Sequence, residues 1–154
     1  MLLQKSGLLN LIFVVIIMLY SNCSGIQTDI ESSISEDKAA EEIFESGERE
    51  ILRKRYGEAA EKFKEIERIY PYSDWAKRAR IMQVYCYHKD QSYENVVSSA
   101  NRFIEFHPYD KDVAYAYYLI GLSYYDQVLA VGRDQKLTQE ALKVFKLITE
   151  EYSD

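Results

Sequence analysis

The amino-acid sequence predicts an all-α protein, a solenoid of about three antiparallel helix pairs that follows a signal peptide and a flexible tether. Helix-forming residues dominate from Ala39 onward, and apolar residues recur there at intervals of three and four. Proline occurs only at positions 71 and 108. These prolines are 37 residues apart, and the sequences around them align with each other, which indicates an internal repeat.

The first 22 residues have the features of a secretion signal. Lys5 is the only charged residue among them, and residues 8–20 are apolar except for Asn10. As a helix this apolar run would span about 20 Å, which is shorter than the roughly 30 Å hydrocarbon core of a membrane. We therefore expect a cleaved signal peptide over residues 1–22, with an uncleaved signal anchor as the alternative.

Cys23 directly follows this segment, in the stretch YSNC (20–23). The stretch resembles the lipobox of bacterial lipoproteins, although the usual pattern has Leu three residues before the cysteine and Gly or Ala directly before it. The resemblance implies lipidation of Cys23, and several acyl chains would anchor the protein durably at a membrane. Ser24 stands where inner-membrane retention signals have Asp, which favours the outer membrane. The alternative is an ordinary secretion signal with an incidental cysteine.

Residues 23–38 are polar and rich in serine and glutamate, and we interpret them as a lipidated flexible tether. The repeat domain is expected over residues 39–154. Without residues 1–22 the chain has 18 basic and 25 acidic side chains, a net charge of −7. It contains no basic block, so the sequence predicts no nucleic-acid partner, and membrane attachment through the lipid rather than through charge.

The repeat domain divides into three units, which cover about residues 40–73, 77–110 and 114–154. The end of the third unit aligns with the other two if eight residues are inserted before residue 137. The units resemble the tetratricopeptide repeat, a 34-residue pair of antiparallel helices. An unrelated helical bundle is the alternative.

Small residues at the eighth and twentieth places of a unit allow its two helices to touch. The first unit has Gly47 and Ala59 at these places, and the third unit has Gly121 at the eighth. The middle unit has Val84 and Val96 instead, so we expect its helices to be further apart.

In tetratricopeptide arrays, places two, five, nine and twelve of each unit line the concave face. In this chain those places are rich in tyrosine, which offers a large contact area and a hydroxyl for backbone groups. The predicted groove would suit an extended or aromatic-rich peptide, and the alternative is ordinary core with scattered surface tyrosines. The predicted groove residues are Phe44, Arg78, Ile81, Tyr85, His88, Tyr115, Tyr118, Leu122 and Tyr125.

The sequence contains no catalytic pattern. It has no Ser-His-Asp spacing, no glycine-rich phosphate loop and no clustered carboxylates beyond solvated helix faces. Its two cysteines and two histidines lack metal-ligand spacing, and Cys86 lies in an apolar stretch that predicts a buried side chain. We therefore predict a binding protein that is not an enzyme and uses no metal and no cofactor.

Taken together, these features resemble the BamD (ComL) family of outer membrane protein assembly factors. The resemblance lies in RYGEAAEKFKEIERIYPYS (55–73), NRFIEFHP (101–108) and AYYLIGLSYYDQ (116–127). The insert LAVGRDQ (129–135) is similar to the Val-Asp-Arg-Asp loop of that family. Val131, Arg133 and Asp134 match the loop, and Gly132 stands where Asp is usual.

This resemblance implies a lipid-anchored, periplasm-facing subunit of the β-barrel assembly machinery at the outer membrane. Its partners would be BamA, the other machinery subunits and unfolded outer membrane β-barrel proteins. The terminal strand of such a protein would occupy the groove, with Arg78 binding its carboxylate through two hydrogen bonds. The alternatives are another tethered repeat lipoprotein that is an adaptor for cell-envelope enzymes, and a secreted helical hydrolase.

Members of that family have about five repeats, whereas this chain contains three. A solenoid normally ends in a polar capping helix, because its last repeat has no neighbour on one side. We therefore expect an exposed apolar face on the last helix, formed by some of Leu142, Val144, Phe145 and Ile148.

Overall fold

The computed structural model describes residues 25–131 and 135–152, and the regular structure within these ranges is entirely α-helical. This confirms the predicted all-α fold class. The chain divides into two compact units, residues 1–36 and residues 37–154. The helices are α1 (Gly25–Leu52), α2 (Tyr56–Ile69), α3 (Asp74–Lys89), α4 (Tyr93–Phe106), α5 (Val113–Val131) and α6 (Gln135–Glu151).

The segment expected to be a flexible tether differs from the prediction. Residues 25–38 are part of α1, which begins at Gly25. The overlooked signal is a spacing of four between Ile26, Ile30 and Ile34, which is typical of a helix. A role as tether stays a prediction, and the predicted signal peptide (1–22) and Cys23 lie outside the described residues.

The backbone repeats at the predicted offset of 37 residues. Lys54 and Gln91, which lie in the turns after α1 and α3, both adopt a left-handed conformation with φ of 60°. The next residue closes each turn in the same way: the Arg55 amide donates to the Glu50 carbonyl, and the Ser92 amide donates to the Tyr87 carbonyl, both at 2.9 Å. The first two units therefore share one turn geometry.

The turns that join successive units also repeat. The amide of Tyr70 donates to the Ile66 carbonyl at 2.8 Å, and the amide of His107 donates to the Phe103 carbonyl at 2.9 Å. Proline follows each of these residues and cannot continue the helix. The next helix, α3, is capped by the Ser73 hydroxyl, which accepts a hydrogen bond from the amide of Ala76 at 3.1 Å.

Within the outer units, a glycine of the first helix packs against a phenylalanine ring of the second. A Cβ atom built on Gly47 would lie 2.8 Å from the ring of Phe63, and one built on Gly121 would lie 2.7 Å from the ring of Phe145. Each glycine thus permits a contact that any other residue would obstruct.

The middle unit reverses these sizes. Val84 occupies the glycine place, and Ala100 occupies the phenylalanine place, 16 residues later. Both side chains are fully buried in one apolar cluster with Val96 and Phe103. The larger residue on α3 is therefore matched by a smaller one on α4. The sequence-based expectation considered only places eight and twenty of each unit, so it did not include this compensation.

The eight-residue insertion of the third unit lengthens both of its helices. In the repeat alignment, Lys89 at the end of α3 aligns with Asp126 of α5. Helix α5 continues five residues beyond Asp126, to Val131. Tyr93 at the start of α4 aligns with Thr138 of α6. Helix α6 begins three residues before Thr138, at Gln135. Of the predicted family loop, Val131 is the last residue of α5, whereas Arg133 and Asp134 lie outside the described residues.

Candidate peptide-binding face

An exposed aromatic pair on α5 forms part of the predicted groove. Tyr115 and Tyr118 lie one helical turn apart and their rings stack, with centroids 6.3 Å apart. They are 40% and 44% exposed. Both therefore present ring surface to a binding partner.

Tyr85 of α3 connects this pair to the preceding unit. Burial raises the pKa of Tyr115, and the neighbouring hydroxyls of Tyr85 and Tyr118 raise it further, so these phenols lie close together. The Tyr85 ring also meets Tyr56 edge-on at 6.5 Å, and the Lys89 ammonium lies 5.9 Å from its centroid. The Tyr115 phenol, with its raised pKa, stays protonated at neutral pH and can donate a hydrogen bond to a backbone carbonyl.

The core of the third unit supports the exposed pair. Tyr118 contacts Phe145 of α6, with centroids 6.3 Å apart. Phe145 is itself held against Gly121. The position of Tyr118 therefore depends on the close approach of α5 to α6.

Two of the predicted groove residues are wrong as contact residues. Phe44 is 3% exposed and Ile81 is 8% exposed, so both belong to the core. Phe44 packs against Phe63 and Trp75, with centroid distances of 5.1 and 5.0 Å. The prediction from repeat places omitted Trp75, which precedes the second unit and contacts Phe44.

Arg78 lies on the surface above these aromatic rings. Its guanidinium carbon is 4.4 Å from the Trp75 ring centroid and 5.0 Å from that of Phe44. Stacking of this kind orients the planar group and leaves its N–H edge free to donate. Among the side chains that the structure describes, no carboxylate lies within ion-pair distance of Arg78.

His88 is not an open polar contact. Its Nε2 atom lies 3.0 Å from an oxygen of Asp126, which joins α3 to α5. Its ring also meets Tyr93 edge-on at 6.2 Å. Further along α5, Leu122 is half-buried and Tyr125 is 49% exposed. The accessible part of the predicted groove consequently comprises Arg78, Tyr85, Tyr115, Tyr118, Leu122 and Tyr125.

Cys86 lies beneath this face and is fully buried. Burial, with a smaller contribution from Asp90, raises the pKa of its thiol to about 12. The side chain is therefore an unreactive core residue, as the sequence predicted.

Within residues 25–131 and 135–152, no group of three or more metal-binding side chains comes together. None of the described helices combines the length and the apolar character needed to cross a bilayer.

The fold and this face define a class, the helical-repeat scaffolds that offer an aromatic surface. The chain belongs to the outer membrane lipoprotein family YfiO, whose sequence profile matches residues 36–154. The predicted family resemblance is thereby confirmed.

Relatives support the same assignment. The outer membrane protein assembly factor BamD of Caulobacter vibrioides is 31% identical over 119 residues, 77% of this chain and 39% of the relative. BamD of Rickettsia prowazekii is 41% identical over 86 residues, 56% of this chain and 34% of the relative. BamD of Neisseria gonorrhoeae is 24% identical over 134 residues, 80% of this chain and 50% of the relative. The chain thus spans between about a third and a half of the length of these relatives, whose names describe assembly factors and not enzymes.

Proposed function

We propose that this protein is an outer membrane protein assembly factor, a non-enzymatic lipoprotein subunit of the β-barrel assembly machinery. Cys23 would carry the lipid anchor, and residues 37–154 would face the periplasm. Membership of the outer membrane lipoprotein family and the names of the relatives support this role. BamA and the other machinery subunits would be its protein partners.

The substrate would be an unfolded outer membrane β-barrel protein, bound through its terminal strand. The observation that carries this proposal is the stacked, exposed pair of Tyr115 and Tyr118, with the Tyr85 phenol beside it. Barrel strands alternate apolar and polar residues and have aromatic girdles at the membrane interfaces. Tyrosine rings can stack on such aromatics, and their hydroxyls can bond to the unpaired backbone groups of a strand.

Arg78 would bind the terminal carboxylate of the strand. Its guanidinium is already oriented by Phe44 and Trp75, so less side-chain freedom is lost on binding. A carboxylate accepts two parallel hydrogen bonds from a guanidinium, which a lysine ammonium cannot reproduce. Arg78→Lys should therefore weaken binding even though the charge is kept.

Fluorescence anisotropy with a labelled C-terminal barrel-strand peptide tests this assignment. A well-packed aromatic contact residue contributes about 2 kcal/mol or more, so Tyr118→Ala should raise the Kd roughly thirtyfold. Tyr109→Ala is the matched control, because Tyr109 is fully exposed and lies in a turn outside this face. Circular dichroism checks that each variant is folded.

If Tyr118→Ala and Arg78→Ala both bind the peptide as the parent does, the aromatic face is not the substrate site. Membership of the assembly machinery is tested separately by co-purification from detergent-solubilised membranes. Recovery of cell-wall synthases in place of BamA would support the adaptor alternative.

A further inference from the structure

Four large apolar side chains are exposed where α2 and α4 end and in the turns that follow them. Tyr72 is 99% exposed and Tyr109 is 100% exposed, while Ile69 and Phe106 are 41% and 60% exposed. The members of each pair are 37 residues apart, so the same two places of the repeat are apolar and exposed in both turns. We call these four residues the turn edge. Exposed apolar clusters of this kind mark interaction sites.

Cations lie beside the turn edge and form ion pairs with acidic side chains. The guanidinium carbons of Arg80 and Arg102 are 5.5 and 5.8 Å from the Phe106 ring centroid. Both arginines also reach the carboxylate of Glu67, at 3.3 and 2.5 Å respectively. The two arginines share this one carboxylate and leave a single net positive charge, so a strongly charged partner is not favoured at this edge.

In the next turn one cation pairs with one carboxylate. The ammonium of Lys77 lies 3.0 Å from a carboxylate oxygen of Asp110. Tyrosine is enriched at the interfacial region of a bilayer, and arginine and lysine can bury their stems there while their charged groups stay in water. The chemistry of the turn edge therefore fits a lipid surface of low net charge.

The connectivity of the chain puts the turn edge at the same end of the 37–154 unit as the segment that leads back to Cys23. Short turns join α1 to α2 and α2 to α3, so α1 and α3 run in the same direction. The first residue of the 37–154 unit, Asp37, accordingly lies at the end of the unit where α3 begins, which is also the end that carries the turn edge. Residues 23–36 separate it from Cys23 and reach at most about 50 Å in any conformation.

We propose that the turn edge rests on the interfacial region of the phospholipid bilayer to which the protein is anchored. Ile69, Tyr72, Phe106 and Tyr109 would insert their apolar surfaces among the headgroups. The contact is weak by itself and becomes significant because the anchor keeps it close to the bilayer. This inference rests on the proposed anchor at Cys23. It assigns the turn edge to the bilayer and leaves the aromatic face open to substrate.

The test uses the full chain, isolated from membranes and reconstituted in vesicles of phosphatidylethanolamine and phosphatidylglycerol. Trp75 is replaced by phenylalanine, and a single tryptophan is introduced by Tyr109→Trp. We expect its emission to shift to the blue by about 10 nm and to be quenched about twofold by brominated acyl chains, with little change between about 0.1 and 0.5 M salt.

The matched control is Tyr125→Trp in the same Trp75→Phe background. Tyr125 is 49% exposed and lies twelve residues beyond the start of α5, which is about 18 Å along the helix. Its tryptophan should not be quenched by brominated lipid. Equal quenching at both positions, or none at position 109 while the protein floats with the vesicles, would overturn the proposal.

Hydrogen exchange on the unsubstituted chain gives a second readout that does not depend on replacing Trp75. Residues 70–73 and 107–112 should exchange several times more slowly in vesicles than in detergent, whereas the opposite turns, 53–55 and 90–92, should not change. If exchange in these turns slows only when another envelope protein is present, the turn edge binds a protein partner, and the lipid assignment is refuted.

The anchor is measured independently, from the mass of the peptide that contains Cys23. A chain found unlipidated there is coupled through Cys23 to a maleimide lipid, because Cys86 is buried and its thiol pKa is raised to about 12. The turn edge is then tested in the same vesicles, so a failure of the anchor and a failure of the edge give different results.

Discussion

The outer units and the middle unit use opposite arrangements to join their two helices. In the outer units a glycine on the first helix accepts a phenylalanine from the second, and in the middle unit a valine faces a region where the second helix has alanine. We infer that the units conserve the combined volume at the helix contact and not the residue at either place. A repeat can thus depart from its consensus at two places and still pack.

Phe63→Ala is expected to have the largest effect among variants that test this comparison. It removes a fully buried ring and leaves a cavity beside Gly47, so the free energy of unfolding should fall by about 3–5 kcal/mol. Urea unfolding followed by circular dichroism measures it. A loss below about 1 kcal/mol would show that the first unit closes around the space.

The double variant Gly47→Val, Phe63→Ala converts the first unit to the arrangement of the middle unit. Gly47→Val alone should cost about 1–3 kcal/mol, because its side chain would meet the Phe63 ring. If combined volume matters, the double variant should be about 1–2 kcal/mol more stable than the sum of the single losses predicts. Additive losses in the same urea experiment would refute this explanation of the middle unit.

A smaller effect on stability is expected from the repeat place that is Tyr70 in the first unit and His107 in the second. Burial and the nearby Arg80 lower the pKa of His107, and the Nε2 atom of its ring accepts a hydrogen bond from Arg80 at 2.8 Å. The unfolded chain therefore takes up a proton more readily than the folded one. The stability due to neutral His107 should be complete above about pH 6.5 and decline as the pH falls towards its lowered value.

His107→Tyr, which copies the first unit, is the matched variant for this pH dependence. Between about pH 7 and pH 5 the parent should lose more stability than the variant. The difference should be well below the stability that Phe63→Ala or Gly47→Val costs. Thermal melts at several pH values measure the difference. Parallel curves for the two proteins would show that His107 does not contribute.

The repeat register could be read from the sequence because it depends on local signals. The two prolines, the small residues at the helix contacts and the 37-residue offset all describe contacts between neighbouring elements of the chain. The family could be recognised for the same reason, since its motifs lie within single helices. The three-unit solenoid and the position of Cys86 in the core follow from these local patterns.

The accessible residues of the candidate site were harder to predict. Repeat places describe which way a residue points but not what covers it, so Phe44 and Ile81 were placed in the groove although neighbouring side chains bury them. The pairing of His88 could not be predicted from its repeat place, because its partner, Asp126, is 38 residues away. The helical start of α1 was missed because its three isoleucines are separated by polar residues that also suit a coil.

The last helix agrees with the expectation of an exposed apolar face only in part. Leu142 is 55% exposed, whereas Val144, Phe145 and Ile148 are half-buried against the rest of the domain. A shallow cleft beside Leu142 is lined by Leu147 together with Lys143, Lys146 and other polar side chains. The apolar area on this side is thus small and is interrupted by charge.

The left-handed residues Lys54 and Gln91 have a consequence for protein engineering. A non-glycine residue in that conformation costs about 1 kcal/mol or more, and this chain carries that cost at the same place in two units. Both side chains are exposed, so glycine could replace them without disturbing any core contact. Glycine at these two positions should therefore raise the stability of the domain. That gain could offset the stability lost through substitutions on the aromatic face.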